Sequence, residues 1–319
     1  MIKLGFFVRK VFSSVVNPVP KSDSVVLSLF ADETCNSRCV WCPNQYDLSQ
    51  KLIRGTVSFK VLQHFLDLND SNKFPLITYG QSEPTIHRDF VRFCNYILDR
   101  GWIISGVHTN LSSPYLDDEV FKTICRFKYV TVNFGGATMN TQFRNMETNL
   151  TILFDNLRRL VELSNGSGLK IRAKMVLNKN NFNEVDLLKE KLLKIDSEIE
   201  FNPAPLYFSV SDSDEKDKRN FFEANLGSFV DTVPCRENVS IDGLGVIHTF
   251  SKLKRCYGLN TTIQFNGDVR VCCRARWYGG VVGNAFVSPM NQILQSDEYK
   301  LAESNALKRE YVKYCEFCS

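Results

Sequence analysis

The 319-residue sequence contains no apolar run free of charge that approaches the ~18 to 20 residues a membrane-crossing helix needs, so its body is read as soluble. It also lacks any long block of like charge. A net charge of +4, dispersed along the chain, gives no nucleic-acid surface. The opening stretch MIKLGFFVRKVFSSVVNPVP imitates a secretory leader, but Arg9 and Lys10 interrupt its apolar run and no small-residue cleavage pattern follows. Residues 1–23 are therefore read as an N-terminal extension, either packed on the domain or making weak contact with a membrane surface as a short amphipathic helix. A cytoplasmic location follows from these absences as an expectation.

What the sequence does have is cysteine. Eleven cysteines in a chain of this length, without a leader, point to metal or redox chemistry in a reducing compartment rather than to a disulfide framework. Three fall at Cys35, Cys39 and Cys42, within ETCNSRCVWCPN, and six lie between Cys235 and Cys318. Cys94 and Cys125 stand alone inside helical apolar patterns and read as core residues.

Between the two groups, strand-like runs at 25–31, 75–80, 102–109, 129–134, 169–177 and 198–202 alternate with helical patterns. These are FKVLQHFLDL, DFVRFCNYILDR, LDDEVFKTICRF, ETNLTILFDNLRRLVEL and NEVDLLKEKLLKI. Such alternation predicts right-handed βαβ units around a parallel sheet. The predicted fold is α/β: a partial (β/α)6 TIM-like barrel over 24–203, a connecting segment over 204–255 and a small C-terminal hairpin-plus-helix domain over 256–319. Chemistry in parallel α/β folds gathers where the strands end. The cysteine loop, GQSEPT, HTNLS and VNFGGAT all fall at such ends.

A disulfide takes two cysteines and a closed zinc site four. A cubane [4Fe–4S] cluster has four iron corners, each wanting one thiolate, so a loop that supplies three leaves one iron open. The Cys35, Cys39, Cys42 spacing, with Trp41 before the last, resembles the signature loop of the radical S-adenosylmethionine superfamily. YGQSEPTIH is similar to that family's turn after the second strand, through Gly80, Gln81, Glu83 and Pro84, with Ser82 where a glycine is usual. Thr109 and Asn110 match a T-N segment after the third strand. The resemblance implies a [4Fe–4S] cluster on Cys35, Cys39 and Cys42 with S-adenosylmethionine on its open iron. It further places the cofactor among Trp41, Gly80, Gln81, Ser82, Glu83, Asn133 and Lys174. Arg172 shares the alternation of Lys174, and whether the pair faces the barrel mouth or solvent is left open by the sequence. The implied reaction is reductive cleavage to a 5′-deoxyadenosyl radical, which takes a hydrogen atom from an unactivated carbon. A flavodoxin or ferredoxin is the expected electron donor.

The C-terminal stretch CYGLNTTIQFNGDVRVCC contains a predicted hairpin with Asn266-Gly267 at its turn. Together with the Cys315 and Cys318 pair it is similar to the SPASM auxiliary-cluster extension or its one-cluster relative, the twitch domain. The implied ligands of a second [4Fe–4S] cluster are Cys256, Cys272, Cys315 and Cys318. Cys273 is the rival for Cys272, and a four-cysteine zinc site is the rival for the cluster. Cys235 has no assigned role. A closed cluster near the mouth would accept a second electron, so the expected activity is oxidation of a polar metabolite such as a sugar or cyclitol. A peptide-modifying maturase and a non-catalytic iron–sulfur or zinc protein are the alternatives.

Overall fold

The structure, a computed structural model, describes residues 25–31, 35–40, 42, 55–78, 82–178, 180–205, 239–241, 247–249, 261–272 and 280–308. In chain order these form β1 (Val25–Leu27), β2 (Phe30–Ala31), β3 (Gly55–Thr56), α1 (Phe59–Leu68), β4 (Leu76–Thr78), α2 (Phe90–Asp99) and β5 (Ile104–Thr109). Next come α3 (Asp118–Cys125), β6 (Tyr129–Phe134), α4 (Met139–Met146), α5 (Leu150–Ser164), β7 (Lys170–Leu177), α6 (Val185–Leu193) and β8 (Glu200–Pro205). The remaining elements are β9 (Val239–Ile241), β10 (Ile247–Thr249), β11 (Thr262–Ile263), β12 (Asp268–Arg270), β13 (Gly283–Asn284), α7 (Met290–Gln295) and α8 (Asp297–Leu307).

Six strands run parallel in the order β1, β4, β5, β6, β7, β8, each new strand added on the same side. That is the predicted partial barrel. Alternation on its strands decides what faces where. Val130, Val132 and Phe134 of β6, with Ile171, Ala173 and Met175 of β7, are buried in one core with Phe90, Phe93, Cys94 and Ile97 of α2 and Leu153, Leu157 and Leu160 of α5. Cys94 is thus a core residue, as predicted, whereas Cys125 at the end of α3 is only half-buried.

The helix expected over 147–163 begins instead at Leu150, because Glu147 adopts a left-handed conformation (φ 54°) that ends α4 and Asn149 then caps α5 through its side-chain oxygen. Nothing in the periodicity announces α4. Its buried face is Thr141, Gln142, Asn145 and Met146, so it lacks the apolar stripe from which amphipathic helices are read.

The C-terminal hairpin forms as predicted, with β11 and β12 antiparallel and Gly267 at φ 89° in the turn. A side chain at Gly267 would also collide with the Phe286 ring. The hairpin extends the barrel's own sheet, since β11 pairs in parallel with β1 and β13 continues beyond β12. Packing fixes the segment on α1. The Phe65 ring meets Phe74, Trp102 and Phe286 at centroid distances of 6.3, 6.0 and 6.0 Å. Asn69, buried at the end of α1, accepts from the Met290 N–H at 2.7 Å and donates to the Phe65 carbonyl at 2.8 Å. Because β12 runs against β11, Cys272 leaves the sheet at the end where β1 starts. Among the described residues no helix is long and apolar enough to cross a membrane.

Candidate active site

The cysteine loop sits at the mouth of the barrel, following β1 and β2, and its described residues are tied down by polar bonds. Cys35, Asn36 and Arg38 are exposed and Ser37 is buried. The last carbonyls of a helix have no partners within it. Those of α4 are used here: Asn145 O accepts from the Val40 N–H at 2.9 Å and Met146 O from Arg38 at 3.0 Å. The Cys42 N–H closes back on the Cys39 carbonyl at 2.8 Å.

Cys35, Cys39 and Cys42 form no disulfide; Cys35 feels the charge of Cys42, and Cys39 feels that of both. Cys35 keeps solvent on one side yet is crowded by protein. Lost hydration, with the neighbouring charges of Glu83 and Cys42, pushes its thiol up to about 12. Cys39 is likewise held well above the usual thiol range, first by lost hydration and then by Cys42, Cys35 and Glu83. Thiolates so placed need a compensating cation, which iron supplies. Among the described residues no three His, Cys, Asp or Glu side chains converge to hold a single metal ion. A cubane asks for something else, one thiolate at each of three separate corners, and a soft, all-sulfur donor set fits it.

Glu83 stands at the end of β4, in the turn that the sequence assigns to the cofactor. It is 3% exposed, and desolvation raises its carboxyl above the usual range while four hydrogen bonds oppose that rise. One oxygen accepts from Thr85 N (3.2 Å), Thr85 Oγ1 (2.6 Å) and Thr109 Oγ1 (2.6 Å), the other from Asn110 N (2.6 Å). Ser82, beside it, is half-buried. Asn133 donates to the Thr109 carbonyl at 3.2 Å and is the register partner of Lys174 on β7, so these two predicted residues lie side by side.

The open question about β7 is resolved by the alternation. With Ile171, Ala173 and Met175 against the helices, Arg172 and Lys174 face into the barrel. Register then brings together a polar inner surface of which the sequence reading named Arg172, Lys174 and Asn133 but not His108, Thr131, Glu200 or Asn202. His108, Thr131, Arg172 and Glu200 form one row, and Asn133, Lys174 and Asn202 the next. Arg172 pairs with Glu200 at 2.9 Å and lies over the Tyr129 ring at 4.4 Å. Lost hydration first, then the charges of Lys174 and Arg172, lower His108 to about 4.

The VNFGGAT turn after β6 is also fastened. Gly135 and Gly136 donate to Gln142 Oε1 at 2.7 and 3.0 Å, and a side chain at either glycine would run into Met146 or Thr141. Asn145 and Asn181 both donate to the Gly135 carbonyl, at 2.5 and 2.9 Å. Glu184 collects Ala137 N, Thr138 Oγ1 and Thr141 Oγ1 at 2.6, 2.9 and 2.6 Å. Trp41, Gly80, Gln81, Cys256, Cys273, Cys315 and Cys318 lie outside the described residues.

Comparison with known proteins adds to this geometry. The family model described as the radical SAM superfamily matches residues 33–191, and SPASM, described as an iron–sulfur cluster-binding domain, matches 256–319. The S-adenosylmethionine-dependent nucleotide dehydratase of Selenomonas ruminantium is 25% identical over 239 residues, covering 69% of this chain and 84% of that protein. Streptococcus suis SuiB bound to S-adenosylmethionine aligns with a TM-score of 0.59 at 16% identity, over 97% of this chain and 74% of that one. Native anSMEcpe with bound AdoMet aligns with a TM-score of 0.55 at 14% identity, over 92% of this chain and 87% of that one. At such identities the structural likeness speaks for the fold alone.

Proposed function

The chain belongs to the radical SAM superfamily and carries a SPASM domain, and on that premise we propose that it removes a hydrogen atom from an anionic, sugar-bearing small molecule such as a nucleotide. It is an enzyme whose family brings a [4Fe–4S] cluster, S-adenosylmethionine and auxiliary iron–sulfur clusters. When bound, that cofactor set supplies a one-electron cleavage and a hydrogen-atom acceptor strong enough for an unactivated carbon, which no side chain can provide.

In this reading Cys35, Cys39 and Cys42 each hold one iron and leave the fourth for S-adenosylmethionine. Trp41, Gly80, Gln81, Ser82 and Asn133 surround the cofactor. Cys256, Cys272, Cys315 and Cys318 hold an auxiliary cluster in the segment 256–319. Lys174, which the resemblance sets beside the cofactor, in this reading serves the substrate together with Arg172, His108 and Asn202.

The observation that carries the proposal is the inward-facing Lys174, beside an Arg172 whose charge is shared with Glu200. Charge of that sign inside a barrel favours an anion, because there the field is screened less than at the surface. The name of the Selenomonas ruminantium relative supports a nucleotide and supports loss of water after hydrogen removal. In that outcome hydroxide leaves the substrate, one electron returns to it, and the product is poorer by the elements of water. The position of Cys272 at the end where β1 starts also favours an outcome that does not pass an electron directly from substrate to the auxiliary cluster. Oxidation of a sugar or cyclitol is the second reading, favoured by the presence of a SPASM domain built to hold such a cluster.

Anaerobically reconstituted, reduced protein incubated with S-adenosylmethionine and nucleoside triphosphates or sugar phosphates tests this by mass spectrometry. A product lacking the elements of water supports dehydration, and one lacking two hydrogens supports oxidation. Lys174→Ala should raise KM for the charged substrate while leaving substrate-free cleavage of S-adenosylmethionine intact. Loss of that cleavage would return Lys174 to the cofactor. A product formed only from an added peptide would replace the small-molecule reading, and bound zinc without cleavage would end the enzymatic one.

A further inference from the structure

The motif turn after β4 and the segment after β5 are connected to the cysteine loop by a continuous set of buried and part-buried hydrogen bonds. Asn110 is at its centre. Its backbone N–H donates to Glu83, and its side-chain nitrogen reaches Asn36 Oδ1 at 2.9 Å and Ser37 Oγ at 2.7 Å. Its side-chain oxygen accepts from Ser112 N and Oγ, both at 2.9 Å, and Ser112 Oγ in turn accepts from Asn36 Nδ2 at 3.2 Å. Asn36 and Ser37 are two of the three residues between Cys35 and Cys39.

The backbone is strained to present Asn110 this way. Leu111 is left-handed at φ 51°, a region that residues with a β-carbon avoid. It is held there by Thr109 Oγ1, which accepts its N–H at 2.9 Å, and by Asn156, which donates to its carbonyl at 2.9 Å. Thr109 in turn donates to Glu83, so the carboxylate governs both the strained turn and the asparagine that leaves it. Both Glu83 oxygens already accept from protein donors.

We propose that Glu83 and Asn110 are positioning residues for the cysteine loop. They set where Cys35 and Cys39 stand by fixing Asn36 and Ser37, opposite the anchorage of Arg38 and Val40 on the end of α4. The carboxylate of the GQSEPT turn thus acts on the metal site through Asn110. The inference rests on the reading of Cys35, Cys39 and Cys42 as ligands.

The test compares Asn110→Ala and Asn110→Asp with the parent and with a Cys35, Cys39 and Cys42 triple alanine variant, all anaerobically reconstituted as the full chain. The readouts are iron per chain, the electron paramagnetic resonance of the reduced clusters with and without S-adenosylmethionine, and the thermal midpoint. Residues that orient metal ligands change metal affinity by roughly tenfold to a hundredfold. Both Asn110 variants should lose iron to a chelator that much faster, and should lose the spectral change on adding S-adenosylmethionine. The auxiliary signal should stay at the parental value, and the midpoint should fall by no more than a few degrees, as expected for lost buried hydrogen bonds. Parental iron retention and spectra in Asn110→Asp overturn the proposal. So does loss of the auxiliary signal in both variants, which would make Asn110 a general support of the fold. If the triple cysteine variant keeps the spectral change, it is the ligand assignment that fails.

Discussion

The cysteine loop at the barrel mouth and the C-terminal hairpin both carry candidate iron ligands, yet they are held by opposite means. In the loop, Asn36 and Ser37 accept hydrogen bonds from Asn110, and Arg38 and Val40 donate to the last carbonyls of α4. In the hairpin, strand pairing to β1 and apolar burial do the holding, with Ile263 and Val269 inaccessible and Phe286 against Phe65. The difference teaches which perturbations are local. Polar bonds can be removed one at a time at a site that sits above the core, whereas a ligand carried by core strands moves only if the core does.

The sharpest break is Cys39→Ala. It should abolish cleavage of S-adenosylmethionine while the far-ultraviolet circular dichroism stays that of the parent, because the loop contributes little to the core. Next comes Phe65→Ala, which empties a fully buried site shared by α1, β5's approach and the C-terminal segment. It should cost about 3–5 kcal/mol in urea denaturation and weaken both regions together. Asn69→Ala removes one hydrogen-bond partner from each of two buried backbone groups, and should cost about 1–3 kcal/mol in the same measurement. If it releases auxiliary iron without a change in overall stability, the hairpin is more independent of the barrel than its packing implies.

The smallest effect should come from His108. Its folded value, about 4, lies below its ordinary 6.5, so the unfolded chain binds the proton first as pH falls. The stability tied to neutral His108 is fully present above about 6.5 and is lost as pH falls through that interval towards about 4. Because His108 keeps some solvent access on the inner face, the loss should be on the order of 1 kcal/mol. His108→Gln should flatten the dependence of the urea midpoint on pH over this window.

How much of this was legible in the sequence depends on whether the signal was local. The outer faces of β6 and β7 were readable because Val130, Val132 and Phe134, or Ile171, Ala173 and Met175, recur every second residue. So was α1, whose buried Leu62, Phe65 and Leu66 fall at helical spacing. The helix α4 was not, because its buried side chains are mostly polar and are satisfied by the turn after β6. The inner polar rows needed the register of strands that lie far apart in the chain, although the alternation of Arg172 and Lys174 already held half of the answer. Glu83 was found from its motif, but its partners Thr109 and Asn110 belong to the next strand, and only the fold could show that its carboxylate is used on them.

The pairing of Val26 with Thr262 has a consequence for how the molecule comes into being. The first strand of the sheet waits on a partner that lies far along the chain, so a ribosome releases β1 long before its second neighbour exists. Until then one edge of β1 offers bare N–H and carbonyl groups to any passing strand. Closing so distant a contact is slow compared with forming the local βα units. A nascent chain halted before residue 262 should therefore be the species that a chaperone finds and that aggregates when none is present.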